Sequence, residues 1–285
     1  MTLNRCTSIL LFSFVAATLT VQQSQSQTMQ TALKSTSEIS TANNQGGLLL
    51  SQGKYAEAAD LLSRALTKAK KANAGDPLMA GMMSNLALAY SHLGRLDDSE
   101  KLFKQAIELL EKRPDQTMSI ARIEDNLGVL YMRQNKLPDA EKHLSTARQL
   151  FGKANALSSP YAAMNLDNLS RYYRAVGKIS EAISTCQESL TLLQKAFGSN
   201  NPDVAIALIN LAELQSIQAK YTESEELYKQ GIGIIERTLA PDHPILVQAL
   251  SSYAQMLARA NRKAEAEQLL SRVNAIKSGA IQSSR

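Results

Sequence analysis

Tryptophan is absent from the 285 residues, and phenylalanine (5), proline (7) and glycine (13) are sparse. A sandwich or barrel of short strands needs turn-formers and pleat-filling aromatic residues, so their scarcity beside abundant Ala, Leu, Ser and Gln points to helices. Charge of one sign never runs for five or six residues, and the net charge of +5 is spread along the chain. That diffuse balance does not signal nucleic acid. Apart from one N-terminal segment there is no long apolar run, which argues against a multi-span membrane protein. With 44% hydrophobic and 20% charged residues, collagen-like, coiled-coil and disordered chains are disfavoured as well. The fold class read from composition is all-α.

The N-terminal run is ILLFSFVAATLTV, residues 9–21, preceded by a segment whose one charge is Arg5 and followed by the polar tract QQSQSQTMQT. It is too short for a membrane span, which needs about 20 apolar residues. Its pattern is that of a cleaved signal peptide, assigned to residues 1–26, so the expected localisation is export, periplasmic or secreted, with no stable membrane span after processing. Cys6 leaves with the leader. Cys186 alone cannot form an intramolecular disulfide, so the exported domain must be stable through its core.

What the chain has in quantity is repetition. The stretches NLALAYSHLGRLDDSEKLFKQAI (85–107), NLGVLYMRQNKLPDAEKHLSTAR (126–148), NLSRYYRAVGKISEAISTCQESL (168–190), NLAELQSIQAKYTESEELYKQGI (210–232) and SYAQMLARANRKAEAEQLLSRVN (252–274) superpose without a gap, and 44–66 matches them. Their shared turn residues are Gly53, Gly94, Asn135, Gly177, Ala219 and Asn261, separated by 41, 41, 42, 42 and 42 residues. A fixed period of this length means a stacked array.

Each unit reads as a helical hairpin. Gly or Asn at the turn suits a left-handed helix-ending conformation, and Ala219 is expected to be mildly strained there. Five residues past the turn stand Ala58, Ser99, Ala140, Ala182, Ser224 and Ala266, always small, where the second helix must approach the first. Four residues further come Leu62, Phe103, Leu144, Cys186, Tyr228 and Leu270, on the same helical face. Helix starts are expected at Asp76-Pro77, Ser159-Pro160, Asn201-Pro202 and His243-Pro244, with Asp, Ser and Asn as good N-caps and Asp115 capping the third unit. The apolar face of the last helix, Leu269, Val273 and Ile276, is expected to be partly exposed or to pair with another copy.

The pattern of Asn-Leu-Ala, Tyr, Gly-Lys-Tyr, Glu-Ala and Arg-Ala-Leu resembles the tetratricopeptide repeat. With the 42-residue period and segments such as NPDVAIALINLAEL at 201–214, it looks like the longer variant of kinesin light chains. The resemblance implies a right-handed superhelical solenoid of about six helix-turn-helix units over residues 40–276, after a polar linker at 27–39 and before a disordered tail at 277–285. It also implies that the first helix of each unit lines a concave groove that holds protein or peptide partners.

Counting at helical spacing from the recurring Asn gives the residues that should face that groove. The fifth unit contributes Ile206, Ile209, Glu213, Ser216 and Ile217, and the sixth Gln248, Ser251, Gln255, Ala258 and Arg259. Charge gathers mid-groove, where Arg122, Arg133, Arg171 and Arg174 outnumber Asp125 and Asp167. Guanidinium forks suit carboxylates, so the expected partner is a peptide with acidic character. The alternative is a merely solvated charged face. The row Asn85, Asn126, Asn168 and Asn210 can pair with a peptide backbone, or it can bridge adjacent hairpins inside the stack; the sequence leaves both open. The family's carboxylate clamp is doubtful, because its Lys and Asn pair is replaced by Asn43 and Gly47.

Catalysis finds little support. His92, His143 and His243 stand in different units, with no HExxH and no paired cysteines, so no metal or cofactor is expected. Cys186 falls at the buried position that Phe103 and Tyr228 hold elsewhere, so it reads as packing rather than nucleophile. The expected function is a non-catalytic interaction scaffold. The alternatives are a structural, self-associating protein and an accessory subunit of a cell-envelope enzyme complex.

Overall fold

A computed structural model describes residues 36–279. The signal peptide and the end of the tail lie outside the described residues. Six hairpins follow one another. The first pairs α1, residues 36–51, with α2, Tyr55–Lys71. The second pairs α3, Asp76–His92, with α4, Leu96–Leu110. A 3-10 turn at Pro114–Gln116 leads to α5, Thr117–Arg133, and α6, Leu137–Lys153. Then come α7, Pro160–Ala175, with α8, Ile179–Phe197, and α9, Pro202–Ile217, with α10, Tyr221–Thr238. Last are α11, Pro244–Arg259, and α12, Lys263–Lys277. The first helix is already formed at residue 36, four residues inside the segment read as linker. No strand occurs among the described residues.

The six turns share one geometry. Gly53, Gly94, Asn135, Gly177, Ala219 and Asn261 all have positive φ, between 57° and 79°. The next backbone N–H reaches back five residues, as in Arg95 to the Tyr90 carbonyl at 2.9 Å and Lys220 to Gln215 at 3.0 Å, which closes each helix end with a Schellman bond. Five of the turn residues tolerate this conformation, and Ala219 holds it against its Cβ. The residue after the turn is always Lys or Arg. Three of them fold back over the tyrosine five residues earlier, Arg95 at 3.8 Å from the Tyr90 ring centre, Lys136 at 5.6 Å from Tyr131 and Lys178 at 6.0 Å from Tyr173.

Hairpins close on the small residues. Ala58, Ser99, Ala140, Ala182 and Ser224 are fully buried. Where the small residue is Ser, its hydroxyl donates to a carbonyl of the partner helix, Ser99 to Ala87 and Ser224 to Ala212, both at 2.7 Å. Gly46 and Gly128 mark close approaches, since a Cβ would sit 2.5 Å from Leu62 Cδ2 at the first and 2.7 Å from Leu144 Cγ at the second. The core forms one large cluster from α1 to α7 and a second from α7 to α12. Where they meet, Asp125 and Asn165 form a buried polar layer.

Several details differ from the sequence expectation. Leu270, placed with the interior set, is 45% exposed, while Val273 and Ile276 are buried under α11. In earlier units the equivalent residue meets the next hairpin, as Tyr228 stacks on Tyr253, and among the described residues no hairpin follows α12. Asp76 is inside its helix, after Gly75 as N-cap, and its carboxylate accepts from Arg113 Nε at 3.2 Å. Asp115 lies within the 3-10 turn and accepts from Gln116, so it caps nothing. His243 does cap, its Nδ1 accepting from the Ile245 N–H at 3.2 Å, beside the expected caps Ser159 and Asn201.

Candidate functional site

The inner face is built from the odd-numbered helices. In its second half two adjoining hollows open between α7, α9 and α11. The first, about 190 Å³, is lined by Arg171 and Arg174 on one side and by Ile206, Ile209 and Ile245 on the other. The second, about 310 Å³, continues past Arg174 to Ser216, Tyr228, Gln255 and Arg259. Helical spacing is what brings these side chains together. Residues three and seven apart on α7, α9 and α11 share one face, and the 42-residue period stacks the faces.

The four arginines of the predicted cluster divide into two settings. Arg171 and Arg174 share the first hollow. Arg174 is paired with Glu213, whose second oxygen accepts from Ser252 Oγ at 2.7 Å. Burial first, then the Arg171 charge, lowers the Arg174 guanidinium from its ordinary value. Arg171 is exposed and forms no ion pair among the described residues; it makes a long contact, 3.4 Å, to Asn168 Oδ1, and its charge acts on the buried Asp125 and Asp167. On α5, Arg122 stacks over the Tyr161 ring at 4.2 Å and Arg133 donates to Ser91 Oγ at 3.2 Å, so both are held by neighbouring helices and lie outside the two hollows.

The asparagines bridge the stack. Asn85 donates to Asn43 at 3.0 Å, Asn168 to Asp125 at 2.9 Å and Asn210 to Asp167 at 2.8 Å, each across adjacent first helices. Asn126 has Ser84 at the corresponding position and makes no side-chain hydrogen bond among the described residues. Asp125 is further held by Asn165 Nδ2 at 2.7 Å, which also donates to the Leu144 carbonyl at 3.1 Å. Burial pushes the Asp125 carboxyl up to about 6, and nearby Asp167 adds to this, while the asparagine donors and Arg171 oppose it. Asp167 is raised for the same leading reason.

Asn165 is the residue that sequence reasoning missed. A signal existed: three positions before the recurring Asn, units two, three, five and six have Met82, Ile123, Ala207 and Ala249, and outside the first unit, which has Thr41, a polar residue there is an exception. It is fully buried and its Oδ1 has no partner. Cys186 is buried as expected and its thiol is pushed up by desolvation, the setting of a packing residue. Among the described residues no group of three or more His, Cys, Asp or Glu is placed to hold a metal, and no helix is long and apolar enough to cross a membrane.

Hairpins of this design, stacked in one direction with their first helices lining a common face, define a repeat solenoid of the interaction-scaffold class. The tetratricopeptide repeat family model matches residues 37–112, 119–195, 162–237 and 203–277, and the chain belongs to that family. No curated protein matches it. Among solved structures it resembles BtubC (BKLC) from P. vanneervenii, with 19% identity and a TM-score of 0.65 over 81% of this chain and 93% of that one. It also resembles kinesin light chain-type repeats from P. anserina, at 22% identity and TM-score 0.54, covering 70% of this chain and 96% of that one. Aspartyl phosphate phosphatase F from Bacillus subtilis is similar at 17% identity and TM-score 0.63, over 85% of this chain and 60% of that one. At these identities the likeness is one of fold.

Proposed function

We propose that the chain is an exported, non-catalytic scaffold that holds a segment of a partner protein along the inner face of α7, α9 and α11, with a preference for acidic segments. Tetratricopeptide repeats mediate protein–protein interaction, and this chain has the fold. The observation that carries the finer reading is the first hollow, where the exposed Arg171 guanidinium stands across from three isoleucines. A concave site with an apolar wall and one unpaired cation takes an apolar side chain and an adjacent carboxylate together. The amide nitrogens of Asn85, Asn168 and Asn210 are committed to the stack, so the part left to a partner's backbone in this hollow is the open Oδ1 of Asn210. Export follows from the leader at 1–26.

Charge reversal tests this reading. Arg171→Glu with Arg174→Gln should weaken partner binding by ten- to a hundredfold and flatten its salt dependence. Gln is chosen at 174 because Glu there would face Glu213. Unchanged affinity and salt slope, in a variant with an unaltered melting temperature, would remove the groove from the account.

A further inference from the structure

We infer that the hollow between α9 and α11 is a seat for one carboxylate of the bound segment, held by Arg259 with the hydroxyls of Ser216 and Tyr228. This rests on the groove reading above and adds the group that is recognised and the place that recognises it.

The first support is a comparison within the molecule. Ser91 lies three residues before its turn glycine and Arg133 two residues before the next turn residue; Arg133 Nη1 donates to Ser91 Oγ at 3.2 Å across α3 and α5. Ser216 and Arg259 occupy the same two positions across α9 and α11. There the pair is open. Ser216 is 4% exposed, yet its hydroxyl has no hydrogen-bond partner, and Arg259 forms no ion pair or hydrogen bond among the described residues. Both line the hollow of about 310 Å³. A buried hydroxyl without a partner is costly, and its neighbours normally remove the cost. In the α3–α5 interface they do; here a cavity stands between them.

The second support is the charge and donor balance of that cavity. Arg174 is neutralised by Glu213, and Glu213 is further satisfied by Ser252. What remains is one uncompensated guanidinium, the Ser216 hydroxyl and the Tyr228 phenol, which burial keeps protonated and therefore a donor. Donors around a single positive charge match a monoanion with two oxygens. A dianionic phosphate would bring a second negative charge beside Glu213, and a cation would meet Arg259. The carboxylate can come from a chain terminus or from an Asp or Glu side chain.

Small probes read the seat without the partner. Isotope-labelled full chain is titrated with N-acetyl-leucine, with the α-amide of N-acetylglutamate and with N-acetyl-leucinamide, following the backbone amide resonances. Both acids should shift Ser216 and Arg259, and the neutral amide should bind at least tenfold more weakly; the tighter acid identifies terminal or side-chain recognition. Arg259→Gln should lower acid affinity at least tenfold. Ser216→Ala should lower it several-fold while melting at or above the parent temperature, since it deletes an orphan hydroxyl. Equal shifts by the amide, acid binding unchanged in Arg259→Gln, or shifts spread equally over the outer-face Arg64 and Arg272 would each overturn the seat. If Arg171→Glu with Arg174→Gln leaves partner binding intact, the groove reading fails, and that outcome is separate from this titration.

Discussion

Asn210 donates its side-chain amide to both carboxylate oxygens of Asp167, at 2.8 and 2.9 Å, and so ties α9 to α7. One hairpin earlier Asn168 donates to one oxygen of Asp125 and Asn165 to the other. Each bridge satisfies an aspartate that burial would otherwise penalise. A recurring asparagine in this chain is therefore first a device for stacking repeats.

Replacing Asn210 by Ala should cost about 1–3 kcal/mol, because Asp167 keeps its buried position and loses its donor. Urea unfolding at pH 7 measures this. Exchanging both members, Asn210→Leu with Asp167→Leu, should recover much of the loss, and a double variant worse than Asn210→Ala alone would contradict the bridging role.

Ala219 sits at φ 59° where three other units have glycine. Ala219→Gly should raise stability by about 0.5–1 kcal/mol, since the left-handed conformation costs an L-residue about 1 kcal/mol or more and glycine little. Gly94→Ala should lower it by a similar amount. Thermal melts of the two variants should move in opposite directions.

The pH dependence of stability should carry the mark of Asp125. Its carboxyl, ordinarily at 3.8, is raised to about 6 in the folded chain, so the native state holds this proton more tightly than the unfolded one. The stability it contributes is full below about pH 4 and is lost as pH rises through 6, by at most about 3 kcal/mol. Asp125→Asn should therefore gain on the parent as pH goes from 4 to 7. A stability difference that is flat over that interval would show that Asp125 is not the group responsible.

The fold was legible because periodicity and turn chemistry agree. The six turn residues picked from spacing all adopt the left-handed conformation between the two helices of their hairpins, and the small residues five positions later are the buried contacts. The site was half legible. Helical counting brought Arg171 and Arg174 to one wall, but single-chain spacing cannot say which cation already has a partner. Glu213 neutralises Arg174 from 39 residues away, and Tyr161 holds Arg122, both through contacts between units. Leu270 was misplaced for a related reason: its pattern is interior, and among the described residues no further hairpin packs on it.

That exposure gives a fourth prediction. Leu270→Ser should change stability by no more than about 0.5 kcal/mol, against about 2–5 kcal/mol for the fully buried Leu144→Ala. Sedimentation of the parent and Leu270→Ser at several concentrations should give one common monomer mass. An oligomer in the parent that Leu270→Ser dissolves would favour self-association through this end.

The central claim is that the face shared by α7, α9 and α11 is the working surface. The most direct test is affinity capture from envelope and culture-medium fractions with the mature domain, the Arg171→Glu, Arg174→Gln variant and an outer-face control, Arg64→Glu, in parallel, read by mass spectrometry. A partner retained by the parent and the outer-face control and lost from the groove variant is the predicted result. The same proteins on all three baits, or only copies of the bait, would contradict it.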